Sequence, residues 1–220
     1  MKSAFRNTHI LVLLFTLSLL ITGCVKKPPV AAPVSPLPPL TATPADKKIV
    51  VARVNGTELT RFSLIDMMNR MSAINQQLST FEPEEATQQR ALDQLVLQEL
   101  ALQEAARQGL SVPEIVIDQE MNKIITKLGH EEGYRDFLEK QHLDPVEFRA
   151  LVERGFLTQL IVSREVLAKV SVLEESNGKL EGNLKAAALN KRRLEWEQSL
   201  KKDAKIELMD MSAWRAQKKP

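Results

Sequence analysis

Hydrophobic residues follow two different patterns along this chain of 220 residues. Residues 10–21 form a nearly continuous apolar run behind the basic residues Lys2 and Arg6. At about a dozen residues, the run is shorter than the roughly 20 that a membrane-spanning helix needs. The pattern is typical of the apolar part of an export signal, which small residues follow where the signal is cleaved.

From Lys47 onward, a run rich in β-branched residues is followed by apolar positions at helical spacing. Residues 47–54 contain Ile49, Val50, Val51 and Val54 and lead into Asn55-Gly56, which predicts a strand, a tight turn and a short return strand at Leu59. Helical spacing and end signals then predict a helix after the capping residue Thr60 and another over about residues 83–108. A capping box at Ser111 predicts a helix that runs to Gly129, and a second box, formed by Asp144 and Glu147, predicts one that runs to about residue 170. A short helix is predicted around Tyr134 and a last one over about residues 184–202.

The helix predicted over residues 83–108 is apolar around most of its circumference, so we expect it to be the buried central helix. Near the C-terminus, "AKIELM" alternates, with Ile206 and Leu208 on one predicted face. A lone strand leaves its backbone groups unpaired, so this segment is the expected partner of the first strand. The predicted fold class is mainly α, a helical bundle closed by a small antiparallel sheet that pairs the N- and C-terminal strands.

A proline-rich segment precedes the predicted domain. Seven of the eleven prolines lie between Val25 and Asp46. Such segments favour an extended polyproline II conformation of about 3.1 Å per residue, so these 22 residues could span up to roughly 70 Å. We expect residues 24–46 to be a tether.

The tetrapeptide Ile21-Thr22-Gly23-Cys24 resembles the lipobox of bacterial lipoproteins. The resemblance implies that residues 1–23 are a signal peptide cleaved after Gly23, and that Cys24 carries diacylglycerol and an acylated amine. Several acyl chains anchor a protein stably in a membrane. In Gram-negative lipoproteins an Asp after the cysteine is typical of inner-membrane retention, so Val25 implies the outer membrane, facing the periplasm. The alternative is an ordinary secretory signal that leaves a free thiol.

Charge and cysteine content narrow the possible functions. Cys24 is the only cysteine, so no intramolecular disulfide can form. Removing residues 1–23 takes away Lys2 and Arg6 and leaves 28 basic residues against 28 acidic ones. A formally neutral chain argues against nucleic acid as a partner.

Four segments carry a resemblance to a known family: "VARVNGTELT", "ALDQLVLQELALQEAARQGLSV", "FLEKQHLDPVEFRALVERGFLTQLI" and "RRLEWEQSLKKDAKIEL". Their order and spacing resemble the N-terminal domain of SurA-type periplasmic chaperones and PrsA-like foldases. The resemblance assigns residues 47–170 and 184–210 to a chaperone domain and leaves residues 211–220 as a tail.

One part of those families has no counterpart here. They usually carry a parvulin prolyl-isomerase domain before the final helix, whereas residues 171–183 provide only a short polar linker at that place. A domain needs at least about 50 residues. We therefore expect no isomerase activity.

Other catalytic or cofactor sites are not expected either. Around His130, the cluster with Glu131, Glu132 and Asp136 lacks the HExxH spacing and the cysteine ligands of zinc sites, so it is interpreted as a solvated helix start. No glycine-rich phosphate loop or nucleophile elbow is present. The protein is expected to need no cofactor or metal and not to be an enzyme.

Apolar side chains that could hold a peptide are the remaining candidates for function. Methionines adapt to irregular apolar partners, and chaperones need exposed apolar surface. The candidate peptide-binding residues are Met67, Met68, Met71, Phe81, Tyr134, Phe137 and Phe148. The alternative is that most of these residues are simply core, since they recur at helical spacing.

These observations favour a lipid-anchored periplasmic chaperone that binds unfolded envelope or outer-membrane proteins without isomerase activity. The alternative is a non-catalytic accessory subunit of an envelope-assembly or exopolysaccharide-export complex, which would bind one folded partner. The sequence does not determine the oligomeric state.

The lipobox interpretation predicts that Cys24→Ser releases the protein from membranes, because the thioether to lipid can no longer form. Fractionation of envelopes after a high-salt wash measures this. A Cys24→Ser protein that stays in the membrane fraction would place the anchor elsewhere.

Overall fold

The computed structural model describes residues 40–77, 84–177 and 181–210. All of these residues belong to one compact unit. Strand β1 (Val50–Val54) and strand β2 (Thr57–Thr60) form a hairpin, and strand β3 (Ile206–Leu208) lies near the end of the described residues. Between the hairpin and β3 lie the helices α1 (Arg61–Gln77), α2 (Glu84–Arg107), α3 (Glu114–Lys127), α4 (His130–Lys140), α5 (Pro145–Val162), α6 (Ala168–Asn177) and α7 (Gly182–Lys202).

The sheet pairs the two ends of the domain, as the sequence predicts. Its order is β2-β1-β3, with both pairs antiparallel. Asn55 and Gly56 have φ values of 52° and 89°, as the two central residues of a type I′ hairpin turn require. On the other side of β1, Ala52 lies opposite Leu208 and Val54 opposite Ile206. Leu208 is 56% exposed, so the predicted buried face of β3 is limited to Ile206, which packs against the core.

Helix α2 is the central helix, which confirms the prediction from its apolar circumference. It contacts α1, α5, α7 and β1. Its buried side chains join those of the hairpin and α1 in the main core, which contains Val51, Ala52, Val54, Leu59, Leu64, Met68, Ala91, Leu92, Leu95, Val96 and Leu100. After α2, the chain turns at Gly109, whose φ of 65° suits a residue without a Cβ.

The two predicted capping boxes have different outcomes. Before α5, the Asp144 side chain accepts a hydrogen bond from the Glu147 amide, and the Glu147 side chain accepts one from the Asp144 amide, which confirms that box. The box predicted at Ser111 is wrong. Pro113 has an extended ψ of 136°, so α3 begins only at Glu114 and Pro113 caps it without a side-chain hydrogen bond.

The helix that begins with α5 is longer than the sequence predicts. It continues through a π-helical turn (Ser163–Leu167) into α6, which ends at Asn177 instead of near Val170. Most of the segment interpreted as a polar linker, residues 171–183, is therefore helical, because polarity alone does not end a helix. Only residues 178–181 separate α6 from α7.

The domain also begins earlier than the predicted boundary at Lys47. Pro44–Lys48 form a 3-10 turn, and Leu40 packs against the main core. Asp46, predicted as the end of the tether, is only 3% exposed. Its carboxylate accepts hydrogen bonds from the Thr43 amide and hydroxyl, both at 2.7 Å, and pairs with Arg61.

No helix within residues 40–77, 84–177 and 181–210 is both long enough and apolar enough to cross a membrane.

Helix α7 closes the domain over α2 and the π-helical turn. Trp196 is buried in a second apolar cluster with Ala101, Ala105, Ile161 and Val166. This cluster joins the C-terminal helix to two helices that precede it in sequence.

Because Trp196 is 6% exposed and Leu194 on the same helix is 45% exposed, the two form a matched pair of variants. Trp196→Ala should lower the free energy of unfolding by about 3–5 kcal/mol, as emptying a buried aromatic site does. Leu194→Ala should change it by no more than about 0.5 kcal/mol. Urea unfolding followed by circular dichroism measures both, and equal effects would show that α7 does not pack as described.

Candidate functional site

An apolar groove crosses the surface where α1, α2, α5 and α7 meet. It encloses about 280 Å³. Its apolar lining is formed by Met67, Leu97, Ala101, Val162, Trp196 and Leu200, and its polar lining by Arg70, Gln94, Gln98, Thr158 and Glu197. An apolar floor with a polar margin is the usual composition of a site that binds apolar groups from water.

The spacing of residues along each helix explains how the groove forms. Side chains four residues apart lie on the same face of a helix. Helix α2 contributes the pair Leu97 and Ala101, α5 the pair Thr158 and Val162, and α7 the pair Trp196 and Leu200. Each of these three helices therefore contributes two neighbouring turns to the groove, and α1 contributes Met67.

Charged residues of the groove are paired beside it. Arg70 forms an ion pair with Asp66 at 2.7 Å, and Glu197 lies 3.8 Å from Arg193. Arg70 and Arg193 are exposed and their partners Asp66 and Glu197 only partly so, and ion pairs that water reaches in this way contribute little to stability. They leave the margin of the groove polar without a large charge of one sign.

The methionines predicted to bind peptide have separate locations. Met67 lines the groove, and Met71 is half-buried against the main core. Met68 is 2% exposed and belongs to the main core. A peptide cannot reach Met68 in this conformation, so the structure places that candidate among the core residues. Phe81 lies outside the described residues.

The three aromatic candidates form a cluster of their own between α4 and α5. The Phe148 ring centroid lies 5.8 Å from that of Tyr134 and 5.4 Å from that of Phe137. Tyr134 is buried, and its hydroxyl has no hydrogen-bond partner. Burial and the nearby Glu131 carboxylate raise the pKa of Tyr134. The cluster holds α4 on α5, so Tyr134 acts as a core residue and not as an exposed peptide contact.

Sequence reasoning did not identify Leu97, Val162, Trp196 and Leu200 as groove residues, and it expected the helix that contains Leu97 to be buried. One signal was available on α2. Gln94 lies three residues before Leu97 and Gln98 lies three residues before Ala101, and such polar residues on a mainly apolar face indicate that part of that face meets solvent.

A second, polar cavity of about 560 Å³ is lined by residues of α2, the π-helical turn and α7, and it shares Trp196 and Leu200 with the groove. In its lining, the buried Glu165 accepts a hydrogen bond from Gln108 at 3.1 Å, pairs with Lys169 and lies 3.8 Å from Arg192. Burial acts to raise the pKa of Glu165, but the hydrogen bonds from Lys169 and Gln108 and the charges of Lys169 and Arg192 outweigh it and lower the pKa. The charges of this cavity compensate one another, so we interpret it as structural.

The cluster around His130 lies at the start of α4, where His130 has a φ of 64°. Among the described residues, no three His, Cys, Asp or Glu side chains are grouped so that they could hold a metal ion.

The described residues form a mainly α domain with a small antiparallel sheet and an apolar surface groove. Comparison with protein families finds that the SurA-like N-terminal domain family matches residues 5–162. The chain belongs to this family of chaperone-type domains. The match ends at α5, so Trp196 and Leu200 of the groove lie beyond it. Comparison with curated proteins finds no match.

Proposed function

We propose that this protein is a lipid-anchored periplasmic holdase, which binds unfolded envelope or outer-membrane proteins without nucleotide. The observation that carries the proposal is the open apolar groove, with the partly buried Met67, Leu97 and Leu200 in its lining, on a domain of a chaperone-type family.

The size and chemistry of the groove suit short apolar stretches of a polypeptide. Its volume of about 280 Å³ lies near the lower end of ordinary ligand pockets, roughly 300–1,000 Å³. A few apolar side chains fill such a space. The flexible side chain of Met67 can adapt to many apolar shapes, as a site for diverse unfolded proteins requires.

Prolyl-isomerase activity is not part of the proposal. Only residues 178–181 lie between α6 and α7, where related proteins carry a parvulin domain, and a domain needs at least about 50 residues. We therefore propose that the protein acts by binding alone and is not an enzyme.

We further propose that lipid on Cys24 anchors the protein to the outer membrane. Because residues 40–48 are packed on the domain, the tether comprises residues 25–39. At about 3.1 Å per residue, 15 residues span at most about 47 Å, which would keep the groove within reach of proteins emerging near the membrane.

The mature protein should suppress aggregation of an unfolded outer-membrane protein at near-stoichiometric ratios, measured by light scattering without nucleotide. Leu97→Glu should weaken this suppression severalfold, because it places a charge on the apolar floor of the groove. Ile115→Glu is the matched control, since Ile115 is an exposed apolar residue of α3 outside the groove.

Circular dichroism melting must show that both variants are folded. The holdase proposal would fail if the intact protein bound no unfolded protein and instead co-purified from solubilised envelopes with one folded partner in a fixed ratio. Equal suppression by Leu97→Glu and Ile115→Glu would place the binding surface elsewhere.

A further inference from the structure

The segment Leu40–Lys48, named here the strap, lies across α1 and reaches the start of α5. Its first residue is held through its backbone. The Leu40 amide donates to Asn69 Oδ1 at 2.9 Å, and Asn69 Nδ2 donates to the Leu40 carbonyl oxygen at 2.8 Å. One asparagine side chain thus satisfies both hydrogen-bonding groups of one residue of the strap.

The other end of the strap is fixed by charged groups. Lys47 Nζ donates to both carboxylate oxygens of Glu147, at 2.6 and 2.7 Å, and lies 5.2 Å from the centre of the Phe62 ring. The buried Asp46 pairs with Arg61. Charge-assisted hydrogen bonds are about twice as strong as neutral ones, so the Leu40 end is the weaker of the two attachments.

Beside the Leu40 end, the surface contains unfilled space. A cavity of about 190 Å³ lies between the strap and the helices, and its apolar lining includes Phe62, Ile65, Leu143 and Leu151. Leu151 is exposed although it lies on this lining. The surface that holds Leu40 therefore has an apolar area next to the Asn69 side-chain amide, which binds backbone groups.

We propose that the face of α1 around Asn69 is a second binding site for an extended polypeptide, which the residues Leu40–Ala42 occupy within the same chain and which an unfolded protein occupies when they leave. The proposal rests on the proposed function for the identity of its ligand. An asparagine amide that pairs with backbone groups binds without regard to sequence, and neighbouring apolar space adds affinity for hydrophobic side chains. Both properties suit an unfolded protein.

Competition within the chain gives the site an experimental signature. Leu40→Asp should weaken the attachment of the strap, because the Leu40 side chain packs against the main core. If the strap occupies the site about nine-tenths of the time, only about one-tenth of the molecules can bind a competing peptide. Release of the strap then lowers the apparent dissociation constant of the peptide about tenfold. Asn69→Ala should weaken peptide binding at least about tenfold in either background, because both hydrogen bonds are lost.

The probe is a fluorescent peptide with the sequence of residues 37–46, LPPLTATPAD, and its anisotropy is measured with the mature protein. We expect tighter binding to Leu40→Asp than to the unchanged protein, and loss of binding to the double variant Leu40→Asp/Asn69→Ala. Asn69→Asp in the Leu40→Asp background keeps the acceptor but not the donor, so it should bind with intermediate affinity. Ile115→Glu, which lies outside both the groove and this site, should bind the peptide as the unchanged protein does.

If Leu40→Asp and the unchanged protein bind the peptide with equal affinity, the strap does not compete for the site. If the affinity does not depend on Asn69, the peptide does not bind at the proposed site. The proposed function fails separately. A protein that binds the peptide through Asn69 but never holds an unfolded outer-membrane protein keeps the site and loses the holdase role. A protein that holds an unfolded outer-membrane protein but does not bind the peptide through Asn69 keeps the holdase role and loses the second site.

Discussion

The pairing of β1 with β3 is the contact on which the rest of the domain depends. It joins residues 150 positions apart, since the Lys205 amide donates to Asn55 Oδ1 at 2.8 Å. The Asn55 amide donates to the Lys205 carbonyl oxygen at 2.9 Å, and the Met209 amide to that of Val51 at 3.0 Å. Because β3 directly follows α7, this pairing holds α7 against α2. The apolar groove needs that placement, since α7 supplies Trp196 and Leu200.

Buried charges fix how the helices meet around this arrangement. Glu99 of α2 is buried and accepts hydrogen bonds from Arg154 of α5 at 2.9 Å and from Gln103 at 3.0 Å. Glu165 joins the π-helical turn to α7, because Arg192 lies beside its carboxylate and donates to its carbonyl oxygen at 3.0 Å. Removing one partner of such a pair leaves an uncompensated buried charge, which is costly. The helices are therefore held in one register by polar contacts, while the apolar clusters supply most of the favourable burial.

The sequence predicted those features of the fold that depend on local patterns. A β-branched run and the Asn55-Gly56 turn identified the hairpin, the apolar circumference identified α2, and Asp144 with Glu147 identified a helix start, because each is a short-range signal with a direct physical cause. Predictions failed where a tertiary contact determines whether a residue is buried in the domain. Asp46 is interpreted as tether from its proline-rich surroundings, but Arg61 and Thr43 stabilise it inside the domain. Periodicity cannot separate Met67, which lines the groove, from Met68, which is core, since the difference depends on how α7 lies over α2.

We infer that the terminal strands and α7 form one cooperative unit, and that the groove exists only while this unit is closed. Native-state hydrogen exchange can test this inference, because amides that open together share one opening free energy. We expect the same opening free energy for the amides of Asn55 and Met209, which join β1 to β3, and for those of Trp196 and Leu200 in α7. Exchange of the Asn55 and Met209 amides while the α7 amides remain protected would contradict it.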